Sequence, residues 1–200
     1  ISKQEGTLTV TNREAKYEIT VKANSATATY DGKEHEAVGV ETYEFTVEGN
    51  SYTVSGLSTE DPKQKDAGSY TNNITGTPVV TDKEGNVVTS EFEVKTENGS
   101  LEIGKAAVTL KSATLSKKYD GNALVNGDTA LEIESGFAEG EGATYNFTGS
   151  QTVVGSSANA FSYELNGNTN IDNYAISKQE GTLTVTNREA KYEITVKANS

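Results

Sequence analysis

Tyr17-Glu18-Ile19-Thr20-Val21-Lys22 decides the fold: aromatic and β-branched residues alternate with charged and polar ones. A period of two predicts a strand with one buried and one wet face. Working outward, the pattern recurs. Tyr43, Phe45 and Val47 alternate with Thr42, Glu44, Thr46 and Glu48, and the pairs Phe92/Val94, Leu101/Ile103, Val108/Leu110 and Leu183/Val185 behave alike. No window keeps apolar residues at i, i+3, i+4 and i+7, so helices longer than a turn or two are not expected. Asp31-Gly32, Asp120-Gly121, Glu48-Gly49-Asn50, residues 82–86 and Asn98-Gly99 read as turns between strands. Short strands at this spacing predict an all-β chain of the β-sandwich type.

The opening stretch also occurs twice. Residues 1–25, ISKQEGTLTVTNREAKYEITVKANS, return unchanged as residues 176–200, an offset of 175. Chance does not preserve 25 consecutive positions, many of them wet strand positions that tolerate almost any residue, so the chain reads as one period of a tandem array. A weaker repeat lies inside the period. Tyr30-Asp31-Gly32 returns as Tyr119-Asp120-Gly121, Gly68-Ser69 with Asn72 as Gly155-Ser156 with Asn159, and Gly99 to Ile103 as Gly181 to Val185. The three offsets shrink slowly from 89 to 87 to 82, as expected of two homologous modules with unequal loops. The organisation expected is a module A at 16–104 and a module B at 105–189. Residues 1–15 would close a preceding B-type module, and 190–200 would open the next A-type module.

Composition narrows the function classes. The 200 residues contain no Cys, Met or Trp and a single histidine, His35, with a net charge of −12. Thiolate metal sites, disulfides and cysteine nucleophiles are excluded, and one imidazole leaves little general-base chemistry. The negative charge opposes binding to a phosphate backbone. No stretch approaches the ~20 apolar residues of a membrane-spanning helix.

The order Tyr-Asp-Gly, Gly-Ser-x-x-Asn, Asn-Tyr, then Gly-Thr-Leu-Thr-Val resembles the mostly-β, immunoglobulin-like repeats called MBG or YDG-type domains. Module B carries the fuller match through Tyr119-Asp120-Gly121, Gly155, Asn159, Asn173-Tyr174 and Gly181 to Val185. Module A has Asp66-Ala67-Gly68-Ser69-Tyr70, a longer excursion through residues 82–86, and no Asn-Tyr pair. The resemblance implies two tandem immunoglobulin-like β-sandwich modules arranged end to end, with a β-grasp-like mostly-β module as the alternative. It also implies an extracellular location, on the cell surface or attached to the cell wall, as in tandem repeats of large bacterial adhesins. It names no ligand.

Each candidate site has a bland counterpart. Tyr30-Asp31-Gly32 and Tyr119-Asp120-Gly121 are either sugar-recognition loops or turn determinants, with glycine supplying positive φ and the tyrosine packing inward. Gly68 and Tyr70 resemble a tyrosine corner, in which a phenol bonds back to the backbone near a strand start. Gly99, Gly155 and Gly181, with Asn173 and Tyr174, are read as fold determinants. Calcium is the one cofactor candidate, through residues 82–86 or 166–172, although neither matches the EF-hand loop. A Lys–Asn cross-link would draw on Lys16 or Lys191 with Asn98 or Asn187. No catalytic set is expected.

The function expected is a structural tandem-repeat segment of an extracellular bacterial surface fibre or adhesin stalk, giving length and stiffness, with neighbouring copies of the repeat as partners. The rivals are a binding module for host glycan or protein and a filament subunit joined by donor-strand exchange.

Overall fold

The alternation at Tyr17–Lys22 is realised as strand β1, with Ile19 and Val21 buried and Glu18 and Lys22 exposed. The computed structural model describes residues 6–7, 9, 15–127, 131–133, 136–190 and 193–198. Among these the chain is all-β, in several small sheets, and its two 3-10 turns are Thr89–Glu91 and Ile171–Asn173.

Two compact units share the chain. Unit 1 comprises Ile1–Thr29 and Lys33–Gly104, and unit 2 comprises Tyr30–Gly32 and Lys105–Ser200. Unit 1 contains β1, β2 (Ala26–Thr29), β3 (His35–Glu36), β4 (Glu44–Val47), β5 (Asn50–Thr59), β6 (Lys63–Gln64), β7 (Gly68–Asn72), β8 (Ile74–Asp82), β9 (Phe92–Glu97) and β10 (Gly99–Gly104). Unit 2 contains β11 (Ala106–Lys111), β12 (Leu115–Lys118), β13 (Leu124–Val125), β14 (Glu132–Ile133), β15 (Ala143–Phe147), β16 (Ser150–Gln151), β17 (Gly155–Ala158), β18 (Phe161–Leu165), β19 (Tyr174–Gln179) and β20 (Thr182–Thr186).

The two units use one pairing scheme. β1 lies parallel to β9 from Tyr17↔Phe92 to Lys22↔Glu97, and β11 lies parallel to β19 from Ala106↔Tyr174 to Lys111↔Gln179. β10 sits between parallel β2 and antiparallel β7, as β20 sits between β12 and β17. β3 pairs with β6 and β13 with β16, while β5 pairs with β8 and β15 with β18. Unit 1 adds β4 beside β5, and unit 2 adds β14 beside β11. In unit 1 the core gathers Ile19, Val21, Val54, Val80 and Phe92. In unit 2, Val108, Leu110, Phe161, Tyr174, Leu183 and Val185 are buried.

One close approach occurs in both units. A Cβ on Gly99 would lie 2.1 Å from the Asn24 carbonyl oxygen, and one on Gly181 would lie 2.3 Å from that of Ala113. The same two carbonyls accept the side-chain amides of Asn72 (3.2 Å) and Asn159 (2.8 Å), both fully buried. In unit 1 the Asn72 Oδ1 accepts the Asp61 N–H (3.0 Å), whereas the Asn159 Oδ1 is buried with no partner.

Tyr30–Gly32 groups with unit 2, where Tyr30 packs on Tyr174. Within 190–200, residues 193–198 form no strand although the same six residues at 18–23 are almost all in β1. The copy at 18–23 pairs in parallel with β9. Lys16 is exposed, so it lacks the burial a Lys–Asn cross-link needs. Lys191 and most of 1–15 lie outside the described residues.

Candidate functional site

Unit 2 holds a carboxylate clamped by two phenols. The Tyr30 hydroxyl donates to Glu141 Oε1 at 2.5 Å, and the Tyr174 hydroxyl donates to Glu141 Oε2 at 2.8 Å while accepting the Ala138 N–H at 2.9 Å. The rings of Tyr30 and Tyr174 meet edge to face with centroids 5.3 Å apart, and Phe137 also meets Tyr174 edge to face at 5.0 Å. Tyr30 is only 4% exposed. Asn173, at the end of the 3-10 turn and also buried, hydrogen-bonds the Tyr30 side chain.

The sequence explains why this socket exists. Unit 1 has the same arrangement built from its own strand: Tyr17 stacks on Phe92 (5.6 Å) and donates to Glu48 (2.7 Å). Glu48 stands two residues before β5 and Glu141 two residues before β15, while Phe92 and Tyr174 open the matching strands β9 and β19. Position 17 has Ala106 as its counterpart by register. Ala106 offers only a methyl group there, and the aromatic ring packed on Tyr174 is that of Tyr30.

Burial pushes the Tyr30 phenol well above its ordinary value of 10.0, and the hydrogen bond and charge of Glu141 push it further. Burial also raises Tyr174. Above pH 10 the unfolded chain has lost this proton while the folded chain still holds it, so each further rise in pH favours unfolding. The stabilisation is therefore complete below pH ~10 and is lost as pH climbs from there toward the folded value. The thermal midpoint of unit 2 should fall between about pH 9 and about pH 11, and Tyr30→Phe should reduce that slope. A melt followed by circular dichroism at each pH checks it; an equal slope in both proteins contradicts it.

The second Tyr-Asp-Gly motif has a different setting. Tyr119 is half-buried, its N–H donating to Thr186 (2.8 Å), and Asp120 accepts from Lys117 (2.8 Å) and from the Asn122 N–H (2.9 Å). The Lys117 hydrogen bond is the main cause holding the Asp120 carboxyl below its usual range. Lys118, Tyr119, Asp120, Arg188 and Glu189 line an open cavity of about 430 Å³. Gly32 and Gly121 both sit at positive φ, +79° and +89°. Tyr30, being buried, presents no ring to a sugar.

Tyr70 donates to the Asp66 carbonyl at 3.0 Å, and its ring lies over Gly68, where a Cβ would come 3.0 Å from the phenol oxygen. Gly155, the counterpart of Gly68, has φ +143° and faces Gln151 instead, since Ser157 replaces the tyrosine.

The calcium segments are occupied by their own backbone. Asp82 accepts from the N–H groups of Glu84 and Asn86 and from the Asn86 side chain, and its carboxyl is held low mainly by Asn86. Around 166–172, Asn168 donates to Gly140, and Asn170 accepts from the Asp172 N–H. Among the described residues no three acidic or imidazole groups gather in a way that would hold a metal.

Sequence reasoning missed Glu48, Glu141 and Tyr17. The usable signal was positional: a glutamate two residues before matching strands, and Tyr17 against Ala106 at the 89-residue offset. No family model, curated protein or solved structure matches the chain.

Proposed function

We propose that this chain is a structural tandem-repeat segment of an extracellular bacterial surface fibre or adhesin stalk, built of immunoglobulin-like β-sandwich modules that supply length and stiffness. The observation carrying this is the recurrence of 25 residues without change, together with one strand-pairing scheme used in both units. A repeated scheme lets each unit bury its own core, so copies add length without new folding problems. The function is reach, and no residue of the chain is assigned to a reaction. Its partners are neighbouring copies of the same repeat, and the net charge of −12 keeps parallel fibres apart at low salt.

The gene tests it. Further near-identical 175-residue copies, a secretion signal and an attachment segment are expected around this segment. Unique flanking sequence with none of these would refute the proposal.

The open cavity beside Tyr119 favours a second reading, a binding module for host glycan or protein. That reading expects saturable ligand binding that Tyr119→Ala abolishes while the fold survives.

A further inference from the structure

Three asparagines stand directly before a glycine: Asn98-Gly99, Asn126-Gly127 and Asn166-Gly167. Such a pair is open to imide formation, because glycine places no side chain in the path of its own backbone nitrogen. The fold treats the three pairs differently. The Asn98 amide is held at both ends, its Oδ1 accepting the Ile74 N–H (3.0 Å) and its Nδ2 donating to Asn73 (2.8 Å). Gly99 beside it is buried in β10. Asn126 is 2% exposed, and its Oδ1 accepts the Asn159 amide at 2.6 Å. Asn166 and Gly167, in contrast, are both exposed in the turn that follows β18. Among the described residues no hydrogen bond fixes the Asn166 side chain or the Gly167 N–H, and nothing lies within 4 Å of the Gly167 Cβ position.

We infer that Asn166 is a site of spontaneous modification, converting to aspartate and isoaspartate through a cyclic imide with Gly167. The Gly167 nitrogen attacks Asn166 Cγ, and its proton leaves with the side-chain nitrogen as ammonia. The new C–N bond closes a five-membered ring, which water then opens. Attack of water at Cγ gives aspartate. Attack at the former main-chain carbonyl gives isoaspartate, in which the chain runs through Cγ. Either product gains one negative charge. Ring closure swings the side chain toward the next amide, a movement that needs local opening at Asn98 and Asn126 and breaks no side-chain bond at Asn166.

The isoaspartate form reaches the Glu141 clamp. The Asn166 main-chain carbonyl, which accepts the Thr169 N–H at 2.9 Å, becomes a free carboxylate beside the chain. Thr169 is buried, its hydroxyl accepting the Gly142 N–H (2.8 Å) and donating to the Gly142 carbonyl (3.0 Å). Asn168 in the same turn donates to the Gly140 carbonyl at 2.7 Å. This turn therefore pins the chain on both sides of Glu141, the acceptor of the Tyr30 and Tyr174 phenols, and one extra backbone carbon at 166 loosens it. On the tandem reading, every period carries one such site and an array gains negative charge copy by copy as it ages. The site itself does not depend on that reading.

The test is peptide mapping by mass spectrometry of the whole 200-residue chain, kept folded in mildly alkaline buffer. Asn166 should convert at least about tenfold faster than Asn98 or Asn126, giving both products, and the three rates should converge in denaturant. Gly167→Ala adds a methyl group that hinders the attacking nitrogen and meets nothing in the fold, so it should suppress conversion at 166 to the level of 98. Hydrogen exchange at the Gly142 amide should be faster in the purified isoaspartate form than in the parent. Equal rates at the three sites of the folded chain overturn the inference, as does conversion at 166 that Gly167→Ala leaves unchanged. An Asn166 that reacts in denaturant and stays intact in the folded chain also overturns it. Unchanged exchange at Gly142 refutes the loosening of the clamp. All of these leave the tandem reading standing, for that one falls only on the flanking gene sequence.

Discussion

Val21→Asp unfolds unit 1, while Val196→Asp in the same sequence context leaves the melting profile within about 1 °C of the parent. Val21 has no solvent exposure and belongs to the cluster of Ile19, Val54, Val80 and Phe92. An aspartate there loses the apolar burial and adds an unpaired carboxylate to a dry core, so the penalty is roughly 4–5 kcal/mol or more. For a unit of this size that lowers the midpoint by more than about 20 °C. Val196 is 88% exposed, and a charge there replaces surface with surface. Differential scanning calorimetry on the two variants decides the matter: equal losses would mean that the two copies share one environment. Because local sequence is held constant, propensity cannot account for any difference, and only tertiary pairing remains.

The second large effect is expected at Gly181→Ala. Its new Cβ would lie 2.3 Å from the Ala113 oxygen, 2.4 Å from the Ser112 oxygen and 2.5 Å from the Ala113 carbon, all backbone atoms that cannot swing aside. The strand would have to separate from the loop after β11, and doing so would strain the buried amide contact from Asn159 to the Ala113 carbonyl (2.8 Å). A loss of about 3 kcal/mol or more follows. Gly167→Ala is the matched control in the same unit, since nothing lies within 4 Å of its Cβ position. It should move stability by no more than about 0.5 kcal/mol. Chemical denaturation of both proteins measures the gap, and a mild effect at Gly181 would mean that the β20 approach is loose.

How much of this was legible in the sequence depends on the range of the interaction. Alternation at Tyr17–Lys22, Phe92–Glu97 and Thr182–Thr186 marked strands correctly because period two is a local property. The internal anchors at Gly68/Gly155 and Gly99/Gly181 marked positions that occupy matching sites in matching sheets. Parallel pairing of β1 with β9 was not legible, for its partners stand 75 residues apart and no turn joins them. The fate of Tyr30 was hidden for the same reason. Tyr30 packs on Tyr174 where the register counterpart of Tyr17 is Ala106, and that contrast acquires meaning only once the register is known.

Stretching a single native molecule tests the central claim most directly. If the chain is a run of self-contained β units that carry load, each unit of 85–89 residues should rupture separately, lengthening the tether by ~300 Å per event, with two events for every 175 residues. Rupture of both units in one step of about twice that length, or extension with no force peaks, would contradict the account.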